Sequence, residues 1–152
     1  MIANAASINW TVTLMTIPTL DGSGYGEMGG TAHLLIGDST AGVAAAIENG
    51  TFSSAFSVRD TATVDYGGLA ASTTGIVESS LDIFLVIFDA TGEYYMISNV
   101  KTATSYEPPG SGSTTTFGVG DFSGGWTPVP EPATMALLGL GVVALGLRRR
   151  RK

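Results

Sequence analysis

The C-terminal tail constrains this chain more than any other stretch. An apolar run over residues 133–147 carries no charged side chain, and five consecutive cations follow it: Arg148, Arg149, Arg150, Arg151 and Lys152. As a helix the run would be about 22 Å long, which is short against a hydrocarbon core of about 30 Å. Basic side chains at its end can reach the interface and extend the span. We therefore expect a transmembrane helix over 133–147, because a buried core helix would be amphipathic.

The charge order of the tail predicts its orientation. Lys and Arg beside a membrane span stay on the cytoplasmic side, so we expect 148–152 inside and 1–129 outside. An outside body needs an export signal. Ala3-Asn4-Ala5 has the small-x-small pattern of a signal-peptide cleavage site, but no basic and apolar regions precede it. We expect 1–6 to be the remnant of a cleavage region and the native chain to start upstream of Met1; the alternative is a merely Ala-rich start.

The head of the tail adds a more specific feature. Pro130, Glu131 and Pro132 stand directly before the apolar run and the basic block. In this order, these three parts resemble the PEP-CTERM sorting signal of exported bacterial proteins. The resemblance covers 130–152, about a sixth of the chain. It implies that the three head residues are recognised by exosortase, a membrane-embedded cysteine protease or transpeptidase, and that they are not catalytic.

The same resemblance implies a destination. Proteins with this signal are associated with the extracellular polysaccharide and the biofilm matrix of Gram-negative bacteria. It therefore implies export, a transient stay of the tail helix in the membrane, and a final place at the cell surface or in the matrix. Exosortase and the membrane are the implied partners, and extracellular polysaccharide is a further candidate.

The charges of the body exclude some classes of function. Twelve of the thirteen Asp and Glu residues precede the tail, but only two cations do, Arg59 and Lys101, so residues 1–129 carry a net charge of −10. Nucleic-acid binding rests on cationic contacts to phosphate, and we expect none here. The chain has no cysteine, which excludes disulfides, thiolate nucleophiles and cysteine metal sites.

The pattern of the body predicts short strands. Ile8, Trp10, Val12 and Leu14 share one face of an alternating segment over 8–17. Residues 83–88 are the most apolar run and predict a central strand buried on both faces, joined by a turn at 89–92 to a partner strand over 93–100. Further strands are predicted over 31–36, 51–58, 61–66, 102–106 and 114–117.

The segments between these strands predict one helix and several turns. Over 38–50 the alanines favour a short helix, capped by Asp38 or Ser39 and ended at Asn49-Gly50. A turn is expected at Arg59-Asp60, and the small residues of 67–75 predict a loop.

Together these segments predict a mainly β chain. The body, 7–117, is expected to be a β-sandwich or jelly-roll-like domain of about seven to nine short strands with one short helix. A Gly-rich linker over 118–129 follows, with Phe122 and Trp126 as anchors to the body. The sorting signal, with its transmembrane helix, completes the chain over 130–152.

Few body residues suggest chemistry. His33 is the only histidine, and a lone imidazole makes neither a multi-histidine zinc site nor, by itself, a catalytic triad. The loop that starts at Asp21 has Ala32, not Glu, at the twelfth position of a calcium loop. We expect no cofactor and no metal. Tyr94 and Tyr95 could stack on sugar, but neighbours on a strand point to opposite faces, which favours core and edge packing.

Three functions stay open at this point. The favoured one is a non-catalytic exported protein with a structural or adhesive role. The second is a polysaccharide-binding module, which predicts a row of exposed aromatic side chains on one sheet face. The third is a glycan-acting hydrolase, which needs carboxylates paired at glycosidase separations or a site around His33. The sequence holds no motif that pairs its acidic residues, so we expect no enzyme.

Overall fold

The computed structural model describes residues 6–13, 19–20, 29–65, 69–107 and 112–130. Nine strands and two short helices lie in these ranges, in the order β1–β2–α1–α2–β3–β4–β5–β6–β7–β8–β9. The strands form a three-stranded and a six-stranded sheet. Apolar residues of both sheets share one buried cluster, and the two helices cover the other face of the larger sheet. The fold is thus mainly β and sandwich-like, as predicted, but it has a second helix.

The small sheet has the order β4-β1-β8. β1 (Ala6–Val12) pairs antiparallel with β4 (Leu69–Ile76) and parallel with β8 (Thr114–Phe117). Ile8, Trp10 and Val12 are fully buried towards the large sheet, because successive residues of a strand alternate between its faces. The predicted inward face of β1 is confirmed over the described residues.

The large sheet is built around β5 (Ser80–Phe88). On one side β5 pairs with β2 (Thr31–Ile36), which pairs with β3 (Val58–Thr63). On the other side it pairs with β6 (Tyr94–Ile97) along one half and β7 (Lys101–Thr104) along the other. β9 (Thr127–Pro128) is the edge strand beside β6.

β5 is buried on both faces, as its apolar sequence predicts. Leu85 and Ile87 face the small sheet, whereas Phe84 and Val86 face the helices. All four are at most 2 % exposed. The predicted hairpin of β5 and β6 is also present, with Phe88 opposite Tyr95.

The helical layer departs from the prediction. α1 (Val43–Glu48) ends at Asn49-Gly50 as expected, but its N-cap is Gly42 in the left-handed region, not Asp38 or Ser39. α2 (Phe52–Ala55) lies where a strand is predicted over 51–58. The reason is packing: Phe52 and Phe56, four residues apart, lie on the same side of a helical turn and both pack against the large sheet.

Two segments predicted as turn or loop are strands. Arg59 and Asp60 lie inside β3, and the predicted loop over 67–75 is largely β4. β4 has few apolar residues, but it is paired with β1 over the whole of β1. Long-range pairing, not composition, therefore makes it a strand.

The segment after β8 is tied to the body. A 3-10 turn over Val119–Asp121 follows β8, and Asp121 forms a 2.8 Å ion pair with Lys101 on β7. Phe122 is buried in the core between the sheets, and Trp126 packs against that core. Both anchors therefore act as predicted.

Candidate functional site at the tail junction

The chain leaves the body beside the β5–β6 turn, and Asp89 organises that turn. Its buried carboxylate accepts hydrogen bonds from the Tyr94 N–H at 2.7 Å, the Thr91 N–H at 2.9 Å and the Thr91 hydroxyl. Burial alone would raise the pKa of Asp89, but these hydrogen bonds outweigh it and lower the pKa below its usual value. The turn therefore presents a fixed backbone at Glu93 and Tyr94.

β9 docks on this backbone. Pro128 lies opposite Tyr94 and Thr127 lies opposite Tyr95. The Val129 N–H donates to the Glu93 carbonyl at 2.7 Å, and the Val129 side chain packs against the cluster beneath the helices. The ordered edge thus extends to Val129, and Pro130 is exposed directly after it.

Pro128 suits this edge because of its place in the ladder. Residues opposite each other in an antiparallel pair alternate between hydrogen-bonded and non-hydrogen-bonded positions. Val129 bonds to Glu93, so Pro128 occupies the next, non-hydrogen-bonded position and points its nitrogen away from β6. A proline there removes no ladder bond and leaves the outer edge without a donor. The edge therefore resists the addition of another strand.

The other sorting residues of the tail lie outside the described ranges. These are Glu131, Pro132 and the basic block Arg148–Lys152, together with the helix predicted over 133–147. Within the described ranges no helix has the length and apolar content of a membrane span. Of the three predicted recognition residues, the structure places Pro130 alone, next to the end of β9.

Comparison with known protein families also places the sorting signal at the C-terminal end of the chain. Residues 128–151 match the family model of the PEP-CTERM protein-sorting motif. The chain carries a PEP-CTERM sorting motif. The resemblance predicted from 130–152 is confirmed, and the match begins two residues earlier, at Pro128. No curated protein and no solved structure matches the chain.

The PEP-CTERM motif defines the broad function of the tail. It indicates exosortase-dependent sorting of an exported protein through a membrane-anchored stage, with exosortase as the processing partner. The structure adds where the motif starts. Because Pro128 belongs to β9, the first residues of the motif are part of the folded body. The sequence offers one sign of this: Thr127 and Val129 are β-branched and flank a proline, which is compatible with an edge strand.

A second group of side chains surrounds His33 on the helix-covered face. The His33 ring lies 5.6 Å from the Phe88 ring and 6.0 Å from the Phe52 ring, both edge to face. Phe52 stacks on Phe56 at 6.0 Å. The His33 Nδ1 lies 3.2 Å from the Thr61 hydroxyl. Burial lowers the pKa of His33 below its ordinary value and thus favours the neutral imidazole.

The His33 ring is packed among these side chains. It contacts two aromatic rings and the hydroxyl of Thr61. Within the described ranges, no three His, Asp or Glu side chains gather as a metal would need. Tyr95 is 3 % exposed, and burial followed by the nearby Glu48 raises its pKa. Tyr94 is half-buried, so the two tyrosines do not form a joint platform.

The outer face of the small sheet is polar and uncharged. Opposite the buried residues of β1 stand Asn9 and Thr11, flanked by Ser72 and Thr114 in one row and by Ala70 and Thr116 in the next. None of these described side chains is aromatic. One described aromatic side chain reaches this face, since the Tyr106 hydroxyl donates to Asn9 at 3.1 Å. The described part of the face therefore holds a single tyrosine and not the predicted row of exposed aromatic residues.

Proposed function

We propose that this chain is a non-catalytic exported protein that its PEP-CTERM tail sorts to the cell envelope or the extracellular polysaccharide matrix. There it has a structural or adhesive role. The observation that carries the proposal is the sorting motif at 128–151, which continues directly from a folded acidic body. The membrane holds the chain only until exosortase acts, and the body is the part that stays outside.

The hydrogen bonds made by polar side chains of the body support the non-catalytic part of the proposal. Its two cations both bind backbone carbonyls: Arg59 those of Thr74 and Gly75, and Lys101 that of Thr116. Asp60 and Asp89 accept hydrogen bonds from their own fold. These hydrogen bonds stabilise the sandwich, which is the role that the proposal assigns to these side chains.

The sorting role is tested in the native bacterium with two matched substitutions. Glu131→Ala changes the head of the motif, and Glu107→Ala changes an exposed glutamate of the body that also precedes a proline in the sequence. We expect the wild type and Glu107→Ala in the envelope or matrix fraction. Glu131→Ala should accumulate in the membrane at its unprocessed mass. An equal distribution of all three proteins would contradict the proposal.

The role of the body is tested by complementation. A strain without this protein should form a less cohesive matrix, and the wild-type gene should restore it. His33→Gln should restore it equally, and purified protein should release no reducing ends from the native polysaccharide. Release of reducing ends, or failure of a folded His33→Gln protein to complement, would point to an enzyme.

Polysaccharide binding is the second candidate, and the aromatic group around His33 favours it. Phe52, Phe56 and Phe88 are half-buried, and the Phe52 ring centroid lies 6.0 Å from that of Phe56 and 5.8 Å from that of Phe88. Aromatic rings that keep part of their surface accessible can stack on sugar rings. Affinity electrophoresis through gels with the native polysaccharide tests it: binding predicts slower migration of the wild type, relieved by Phe56→Ala but not by Val119→Ala. Equal migration with and without polysaccharide would exclude binding.

A further inference from the structure

The motif begins inside the fold, and this has a consequence for its processing. Thr127–Pro128 form β9, and Val129 continues the pairing with β6. An extended peptide is often recognised as a strand that adds to a sheet edge. The backbone of 127–129 already pairs with β6 on one side. On its other side Pro128 offers no N–H group. A second strand cannot pair normally with the docked segment.

The attachment of β9 is narrow compared with that of the segment before it. Asp121 is bound by Lys101, and the Asn99 N–H donates to the Asp121 carbonyl at 2.6 Å. Phe122 is 5 % exposed. By contrast, Thr127 and Val129 are only half-buried, and Pro128 is exposed. Local opening is easiest where few apolar contacts hold a segment, so β9 can detach while 119–122 stays in place.

We propose that β9 is a latch, meaning the segment 127–129 docked on β6, and that exosortase processes the tail only after this latch opens. The latch makes the rate of tail removal depend on the folded body. While the body is folded, exosortase reaches the start of the motif only when β9 detaches from β6. The inference rests on the proposed function, because it concerns the same processing step. The new element is the contact between 127–129 and β6, which controls the access of exosortase to the tail.

Three forms of the full chain separate the latch from general stability. Thr127→Pro lies outside the matched motif and removes the N–H that the ladder alternation directs to Tyr95. Ile83→Val trims a fully buried residue of β5 and leaves the latch contacts intact, so it is the control for global destabilisation. Tyr94→Cys with Pro128→Cys places two cysteines opposite each other. The chain has no other cysteine, so the disulfide can form in only one way.

The rate of tail removal is measured by mass in membranes that contain exosortase. We expect Thr127→Pro to be processed at least threefold faster than the wild type, and Ile83→Val within twofold of it. The oxidised double-cysteine form should be processed at least tenfold more slowly than the same form after reduction and alkylation. Reduction and alkylation are completed before the assay, so that no reductant reaches the enzyme. Equal rates for Thr127→Pro, the wild type and the oxidised form would overturn the latch.

Amide hydrogen exchange at Val129 tests the docking of β9 separately from the processing of the tail by exosortase. Protection of this amide in the wild type, lost in Thr127→Pro and kept in Ile83→Val, is the expected result. An unprotected Val129 amide would overturn the latch even if processing occurs. If no form is processed although the Val129 amide is protected, β9 is docked but exosortase does not act on this tail. That result would contradict both the proposed sorting function and the control of processing by the latch.

Discussion

The indole of Trp10 joins the two sheets by hydrogen bonds. It is fully buried on β1, and its Nε1 donates to Asp60 on β3 at 3.2 Å and to Thr73 on β4 at 3.3 Å. Thr73 in turn donates to Asp60 at 2.5 Å. A buried donor without a partner would cost about 1–3 kcal/mol, so this group supports the position of β3. Sequence reasoning could not find it, because its members are 13 to 63 residues apart.

Asp89 is the residue whose loss should damage the central hairpin most. Asp89→Ala leaves the Thr91 and Tyr94 N–H groups without their acceptor, and hydrogen bonds to a charged group are worth about 1.5–3 kcal/mol. We expect the free energy of unfolding to fall by about 2 kcal/mol. Urea titration of the full chain in a mild detergent measures it. Glu78→Ala, an exposed carboxylate, is the control and should change stability by less than about 0.5 kcal/mol.

His33 should give the protein a pH-dependent stability. Burial lowers its pKa in the folded state below the ordinary 6.5, so the unfolded chain binds a proton more readily. Stability is then complete above the ordinary pKa and falls as the pH drops through it. His33 is the only histidine. We expect the wild type to lose stability as the pH falls through the ordinary pKa of histidine, and His33→Gln to lose less. Parallel pH profiles would contradict this.

At the scale of elements, the sequence predicts strands well where local pattern and composition decide. The bounds of β2 and β8 match the predicted 31–36 and 114–117. β5 is apolar at nearly every position, so its central place follows from composition. The β5–β6 hairpin is also local, since its turn residues lie between two apolar segments.

Elements whose structure depends on partners distant in the chain could not be predicted from the sequence. β4 contains Ala70, Ala71, Ser72, Thr73, Thr74 and Gly75, a composition typical of a loop, and it is a strand because β1 pairs with it. Arg59 and Asp60 look like a turn, yet their side chains reach β4 and β1 from inside β3. The junction at β9 is a similar case: the Gly-rich composition of 118–129 suggests a spacer, but β6 provides the docking edge.

The two buried faces of β5 lead to a prediction at this scale. Leu85 is fully buried between the sheets, and truncation of such a leucine costs about 2–5 kcal/mol because it leaves a cavity. Leu85→Ala should therefore lower the urea midpoint strongly. Thr116→Ala on the exposed face of β8 should shift the free energy of unfolding by no more than about 0.5 kcal/mol. Similar losses for both would contradict the assigned faces.

At the scale of the whole molecule, two cations join the sheets at opposite edges. Arg59 on β3 donates to the Thr74 carbonyl of β4 at 2.6 Å. Lys101 on β7 donates to the Thr116 carbonyl of β8 at 2.7 Å. Each therefore links the large sheet to the small one. They are the only cations of residues 1–129, which leaves the acidic surface of the body to keep the exported protein soluble.

The separation of these two links makes their loss additive. Arg59→Met and Lys101→Met should each lower the free energy of unfolding by about 1 kcal/mol, since each removes charge-assisted hydrogen bonds at a partly solvated edge. Substitutions at distant sites without shared partners add. The double variant should then lose about 2 kcal/mol in urea titrations. A loss clearly larger or smaller than the sum would show that the two edges are coupled.

Mass spectrometry of the mature protein tests most directly whether exosortase removes the tail. The protein is recovered from the native cell and from its matrix, and the intact mass and the C-terminal peptide are measured for both. Exosortase-dependent sorting predicts that the matrix form lacks the basic block Arg148–Lys152 and ends near the Pro130-Glu131-Pro132 head. A matrix form that retains Arg148–Lys152 would contradict the account.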